Sequence, residues 1–227
     1  MSYTAHITIM PLKELLDPQG RTALSLPRVL VAISVQSVLR LRLEQLVLDA
    51  PELDIRLTAS GQWQIAGLDL AQTPRGDSAA ADWLFSQNEV LIRNGTVRWT
   101  NERAGLPLKA IRHLGDTRDT HGPAPEVQTL ALRDVDLILR NSTRQHDMRL
   151  DATPPQEWGE RFVGMGRFKR GLLSTHAGQF EEWSGQAYAY FPQVDVSQLR
   201  QHVQLGADVR SGRGALRMWS DFEKGQW

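Results

Sequence analysis

The stretch LRLEQLVLDAPELDIRL, Leu41 to Leu57, constrains the fold more than any other. Apolar residues fall on every second position as Leu46 and Leu48, then again as Leu53, Ile55 and Leu57, with Glu52, Asp54 and Arg56 between them. Period two is the pattern of a half-buried β-strand. Pro51 separates the two runs, and the apolar positions change from even to odd numbers across it. Proline cannot donate a ladder hydrogen bond, so Pro51 predicts a turn or an edge bulge. Strands of this kind must find shelter for one face only.

The same pattern recurs along the chain. After a turn at Asp17-Pro18-Gln19-Gly20, Val29, Val31, Ile33 and Val35 alternate with Arg28, Ala32 and Ser34. Ser60-Gly61 turns into the short strand Gln62 to Ile65, which makes a hairpin with the run before it. Asn94-Gly95, set between Glu89–Arg93 and Thr96–Trp99, predicts a hairpin or a bulge. Val135, Leu137 and Leu139 alternate with Asp134, Asp136 and Arg140, and Asp147 to Asp151 pairs with that strand across the turn 141–145. Short strands follow at Arg161–Phe168, Gly185–Phe191 and Gly214–Phe222. Helix signals are few: Asp77 or Ser78 can cap AAADWLFSQ, giving a short helix near 78–87, and Asp195 to Leu199 can form another. Strands are not separated by regular helical stretches, which disfavours a Rossmann arrangement. The fold predicted from the residues alone is mainly β, an antiparallel meander with two or three short helices.

With 227 residues and 41% apolar content the chain can bury a sizeable core, and its longest apolar runs are far shorter than a membrane-spanning helix requires. No export signal is visible at MSYTAHITIMPLKELL. Lys and Arg number 26, as do Asp and Glu, and they are mixed along the chain, which argues against a nucleic-acid partner. There is no cysteine, so disulfides and thiolate metal sites are excluded. An outer-membrane barrel would show longer strands with aromatic girdles, whereas aromatic residues are only 7%.

Signs of catalysis are sparse. The six histidines are scattered, none in a metal-binding spacing. His113, Asp116, Asp119 and His121 share a Gly- and Pro-rich polar loop, best read as a solvated excursion, and His146-Asp147 at a strand edge reads as surface. No GxSxG, GxGxxG or P-loop occurs, and Gly164-Met165-Gly166 reads as small residues in a curved strand. No catalytic residue, metal site or cofactor is expected. Trp63, Trp99, Trp183 and Trp219 lie in or beside strands, as core aromatics or as the lining of an apolar groove.

Several phrases, in order, carry a resemblance: DPQGRTALSLPRVLVAIS, LRLEQLVLDAPELDIRLTASGQWQIAGL, NEVLIRNGTVRWTNE, LALRDVDLILRNSTRQHDMRL, EEWSGQAYAYFPQVDVSQL and SGRGALRMWSDFEKGQW. Together they resemble the N-terminal half of YhdP-type proteins of the AsmA-like group, from about Asp17 to Trp227. The resemblance implies a strongly twisted β-sheet curled into an elongated groove with an apolar interior. It also implies a segment of a much longer envelope protein of Gram-negative bacteria. Such proteins are anchored in the inner membrane, extend through the periplasm, and are implicated in moving phospholipid between inner and outer membranes. They are conduits and not enzymes, and their expected partners are phospholipid acyl chains and envelope proteins at either membrane. The anchoring helix is expected to be missing from this chain.

On that basis 1–16 is left unassigned, 17–102 is a first groove segment, 103–126 a polar loop and 127–227 a second groove segment. The lipid-facing candidates are Val29, Val31, Ile33, Leu46, Leu48, Leu53, Ile55, Leu57, Val135, Leu137 and Leu139. The alternative is a β domain with a closed core and a structural or protein-interaction role.

Overall fold

A computed structural model describes residues 4–9, 12–16, 20, 22–39, 41–58, 63–65, 68–69, 79–102, 128–171, 174, 177–178, 182–199 and 211–223. The predicted polar loop 103–126, with His113 and His121, lies outside the described residues, as do Asp77, Ser78, Ser60 and Gly61.

Strands dominate, as the alternation requires. The first half contains β1 (Thr4–Ile9), β2 (Leu12–Leu16), β3 (Thr22–Leu26), β4 (Arg28–Ser34), β5 (Gln45–Asp49), β6 (Glu52–Leu57), β7 (Trp63–Ile65), β8 (Leu68–Asp69) and β9 (Glu89–Asn101). The second half contains β10 (Gln128–Asn141), β11 (Gln145–Thr153), β12 (Phe162–Arg170), β13 (Trp183–Asp195) and β14 (Arg213–Glu223). Among the described residues three short helices interrupt them: α1 (Val35–Leu39), α2 (Ala79–Ser86) and α3 (Val196–Leu199). Val35 therefore opens α1 and does not extend its strand. α3 is capped as expected, the Ser197 N–H donating to the Asp195 carboxylate at 3.0 Å.

The fourteen strands among the described residues belong to one open sheet, ordered β1-β4-β5-β9-β10-β11-β12-β13-β14 along its main path. A branch leaves at β9, where β6 pairs and in turn carries β3 and β7. From β9 to β14 the sheet is an antiparallel meander, as predicted. Two junctions are parallel, β5 with β9 and β6 with β9, so the sheet is mixed. Alternation cannot reveal this, because parallel and antiparallel neighbours show the same period.

Pro51 marks no reversal: it lies between the end of β5 at Asp49 and the start of β6 at Glu52. β5 and β6 run in one direction beside β9, and the step between them is a bulge. In that step the chain goes from Leu48 to Leu53 while β9 goes from Ile92 to Val97 and β10 returns from Leu137 to Leu132. Each strand holds one residue in the left-handed region there: Ala50 at φ 52°, Asn94 at φ 52° and Asp134 at φ 47°. A bulge residue adds one position and flips the parity of the strand beyond it. The shift from even to odd at Pro51 is thus what keeps Leu46, Leu48, Leu53 and Ile55 on one face. Gly95 fits because a Cβ there would meet Ile92 Cγ2 at 3.0 Å and the Val135 carbonyl at 3.3 Å.

β11 contains no matching bulge, since β10 advances from Arg133 to Asp136 while β11 moves only from Thr153 to Asp151. Backbone groups left over at such a mismatch need partners. Arg161, just before β12, supplies them: its guanidinium donates to the Asp134 carbonyl at 2.6 Å and the Asp136 carboxylate at 2.7 Å. The other Asp136 oxygen accepts the Asn94 N–H at 3.0 Å.

Candidate functional site

Cross-strand partners lie on the same face, so the register defines the two surfaces. One face is apolar. Ile7, Val31, Leu46, Val90, Leu139 and Met148 are successive partners across β1, β4, β5, β9, β10 and β11. The next row is Val29, Leu48, Ile92, Leu137 and Leu150. Beyond the bulge the face continues as Leu53, Val97 and Leu132, then Ile55, Trp99 and Leu130.

The candidate lipid-facing residues all sit on this face, in unequal surroundings. Val31, Leu46, Val135 and Leu139 are buried by protein. Val29, Ile33 and Leu48 are half-buried and pack on the cluster formed by Val31, Leu46, Val90 and Leu139. Leu53, Ile55, Leu57 and Leu137 are half-buried.

The cover over the buried cluster is α2, whose Leu84 and Phe85 pack against it. Phe85 also meets a second cluster, Phe168, Trp183 and Phe222. Its ring stands edge-on to Trp183 at 4.8 Å and to His146 at 5.5 Å. His146 and Trp183 stack in parallel at 4.3 Å. The helix end is pinned through Gln87, fully buried, whose Oε1 accepts the Leu43 N–H at 2.8 Å. Asn141 Nδ2 donates to the Gln87 carbonyl at 2.8 Å.

His146 is a correction to the sequence reading. It is not a surface residue: it has no exposed area, Nδ1 is 2.7 Å from Asn141 Oδ1, and Nε2 has no hydrogen-bond partner. Burial is the main reason that its pKa falls to about 4, aided by the nearby Arg170 charge. Leu84 and Phe85, half-buried and packed on the core, are contributors that the sequence reading misses. Their signal lies in AAADWLFSQ, where an adjacent bulky pair follows an alanine-rich turn. Of the tryptophans, Trp183 is core, Trp99 is half-buried, Trp219 is 72% exposed, and the side chain of Trp63 lies outside the described residues.

The other face is a lattice of ion pairs. Arg28 meets Asp49 at 3.4 Å, Arg98 meets Glu52 at 3.0 Å and Arg56 meets Glu102 at 3.0 Å. Arg140 meets Glu89 at 2.8 Å, and Arg167 and Arg149 meet Asp147 and Asp151, each at 2.7 Å. The balanced composition thus becomes charge matching, mostly between neighbouring strands and, at Arg149–Asp151, within β11. The Arg140, Arg167 and Arg149 hydrogen bonds hold Glu89, Asp147 and Asp151 respectively below the usual carboxylate range.

A cavity of about 640 Å³ opens on this polar face, lined by Ile138, Met165, Tyr188 and Trp219 together with Arg140, Asp147, Arg167, Gln186 and Asp221. Tyr188 and Trp219 lie 5.3 Å apart there. A carboxylate kept ionised by an arginine, as Asp147 is, is a poor proton donor near neutral pH. Among the described residues no group of three or more His, Asp or Glu side chains could hold a metal ion. No helix among them is long and apolar enough to cross a membrane.

Fold and faces together define an open, two-faced β-sheet protein with one continuous apolar face, part of it covered by α2. A family model described as YhdP protein matches residues 5–227, and the chain belongs to that family. No curated protein and no solved structure matches it.

Proposed function

We propose that the chain is a segment of a bridge-like envelope protein whose apolar face holds phospholipid acyl chains between the inner and outer membranes, without a chemical step. What supports this is the apolar face itself. It runs unbroken over β4, β5, β9 and β10 and is kept on one side through a three-strand bulge. Each buried CH₂ is worth about 0.8 kcal/mol, so a tail of about 16 carbons gains on the order of 10 kcal/mol against water. Leaving a bilayer costs a similar amount, and transfer between bilayer and groove is close to neutral, as transport in either direction needs. Family membership supports the same reading, along with a periplasmic setting and envelope proteins as partners.

One observation favours the alternative of a closed core: Val31, Leu46, Val90 and Leu139 are already covered by α2 and its neighbours. Photo-crosslinking in cells, from a probe at Ile55 compared with one at Asp54 in the membrane-anchored full-length protein, separates the two. Lipid adducts at Ile55 and none at Asp54 are expected. Absence of lipid adducts at both, with Ile55 shielded from solvent, would replace the conduit by the closed-core domain.

A further inference from the structure

One end of the sheet carries apolar side chains that no described residue covers. Val35 and Leu39 of α1 are 69% and 80% exposed, and Leu41 in the turn after the helix is 88% exposed. Hydrogen bonds brace the described part of the tip. The Ser34 N–H donates to Ser37 Oγ at 2.6 Å, the Ser37 N–H donates to Ser34 Oγ at 3.1 Å, and Ser37 Oγ donates to the Ser34 carbonyl at 2.8 Å. The Arg42 N–H closes the turn on the Ser37 carbonyl at 2.9 Å, and Leu41 adopts φ 51° at the apex. Three large aliphatics presented on a braced loop are not a stray surface leucine.

Cations stand beside them. Arg42 makes no ion pair with a described residue, and Arg144 is exposed in the β10–β11 turn. That turn is laced to the same end, because the Asn141 N–H donates to the Asn88 carbonyl at 2.8 Å and the Asn88 N–H to the Leu43 carbonyl at 3.1 Å. The nearby acids are occupied: Glu44 accepts from Ser34 and Asn88, and Glu89 accepts from Gln45 and Arg140. Trp83 on α2, one turn before Gln87, is 51% exposed. Aliphatics at a tip, arginines behind them with no ion pair among the described residues and an exposed tryptophan suit the boundary between lipid headgroups and acyl chains.

We propose that this end of the sheet docks on an anionic phospholipid bilayer, with Val35, Leu39 and Leu41 entering the interface and Arg42 and Arg144 meeting headgroup phosphates. The inference stands on this end of the sheet and does not require cargo on the apolar face. Because the chain has no cysteine, Leu41→Cys can carry a single environment-sensitive fluorophore. The full chain is floated with vesicles of phosphatidylethanolamine and phosphatidylglycerol. Expected are co-flotation, weakened by salt, and a blue shift of the probe at position 41. The double variant Leu39→Glu/Leu41→Glu, altered only at exposed positions, should lose at least tenfold in vesicle affinity with an unchanged melting curve. Absence of flotation, flotation without a shift at 41, or undiminished binding of the double variant would each overturn the proposal. So would a blue shift without vesicles together with a dimer in sedimentation, which would assign the tip to a second copy of this chain.

Discussion

Two stretches of the same apolar face behave differently. Across β4, β5, β9 and β10 the row Val31, Leu46, Val90 and Leu139 is sealed beneath α2, whereas beyond the bulge Leu53, Ile55 and Leu57 remain half-buried. Residue types and alternation are alike in both. What differs, among the described residues, is the eight-residue helix α2, delivered by the segment before β9. Amphipathic strands create an apolar face, and a separate element decides whether that face is a core or a surface.

The sharpest way to break this comparison is by truncation. Leu139→Ala should cost about 3 kcal/mol in urea unfolding, the usual range for a buried leucine, whereas Ile55→Ala should cost about 1 kcal/mol. Equal losses would mean that the two stretches are one closed core. Acid tests the sealed side next. His146 has a folded pKa near 4, below its ordinary value of 6.5, so the unfolded chain binds the proton first. Stability from this group is full above about pH 6.5 and is lost as pH falls towards 4, by up to about 3 kcal/mol. A His146→Gln variant should show a flatter stability profile over that window, and an unchanged slope would assign the acid sensitivity elsewhere.

Phe85→Ala addresses the cover itself. It should cost about 2 kcal/mol, less than a fully buried phenylalanine would, and should raise photo-adduct yield from a probe at Val29. Destabilisation without any gain in adducts would show that α2 is part of a permanent core. The smallest effect is expected at the seam between the stretches. Ala50→Gly removes the penalty of a left-handed alanine and should stabilise the chain by roughly 1 kcal/mol in the same urea series.

Most strands are legible in the sequence, because alternation and turn residues are local signals. β10, β11 and β14 fall close to where Thr129–Arg140, Asp147–Asp151 and Gly214–Phe222 predict them. Asn94-Gly95 allows a hairpin or a bulge, and the bulge is decided by partners distant in sequence, Ala50 and Asp134. Parallel pairing of β5 and β6 with β9 is not legible for the same reason. His146 shows the limit most clearly. Its neighbour Asp147 does face the polar side, and only the arrival of Trp183 and Phe85 from elsewhere in the chain buries the ring. The apolar face can be read residue by residue, but its cover cannot.

The seam has a further consequence. Ala50, Asn94 and Asp134 form a line defect, comparable to a dislocation in a crystal, which crosses three strands and terminates at Arg161. A dislocation cannot be erased at one point along its length. Deleting one residue from β9 alone would shift the rest of the strand by one position, turning Val97 and Trp99 towards the ion pairs and Arg98 towards the aliphatics. Only matched deletions in all three strands would restore a flat sheet, and they would leave Arg161 without the carbonyl it serves. Single insertions and deletions at this seam are therefore expected to be far more damaging than substitutions, although Ala50 and Asn94 are both exposed.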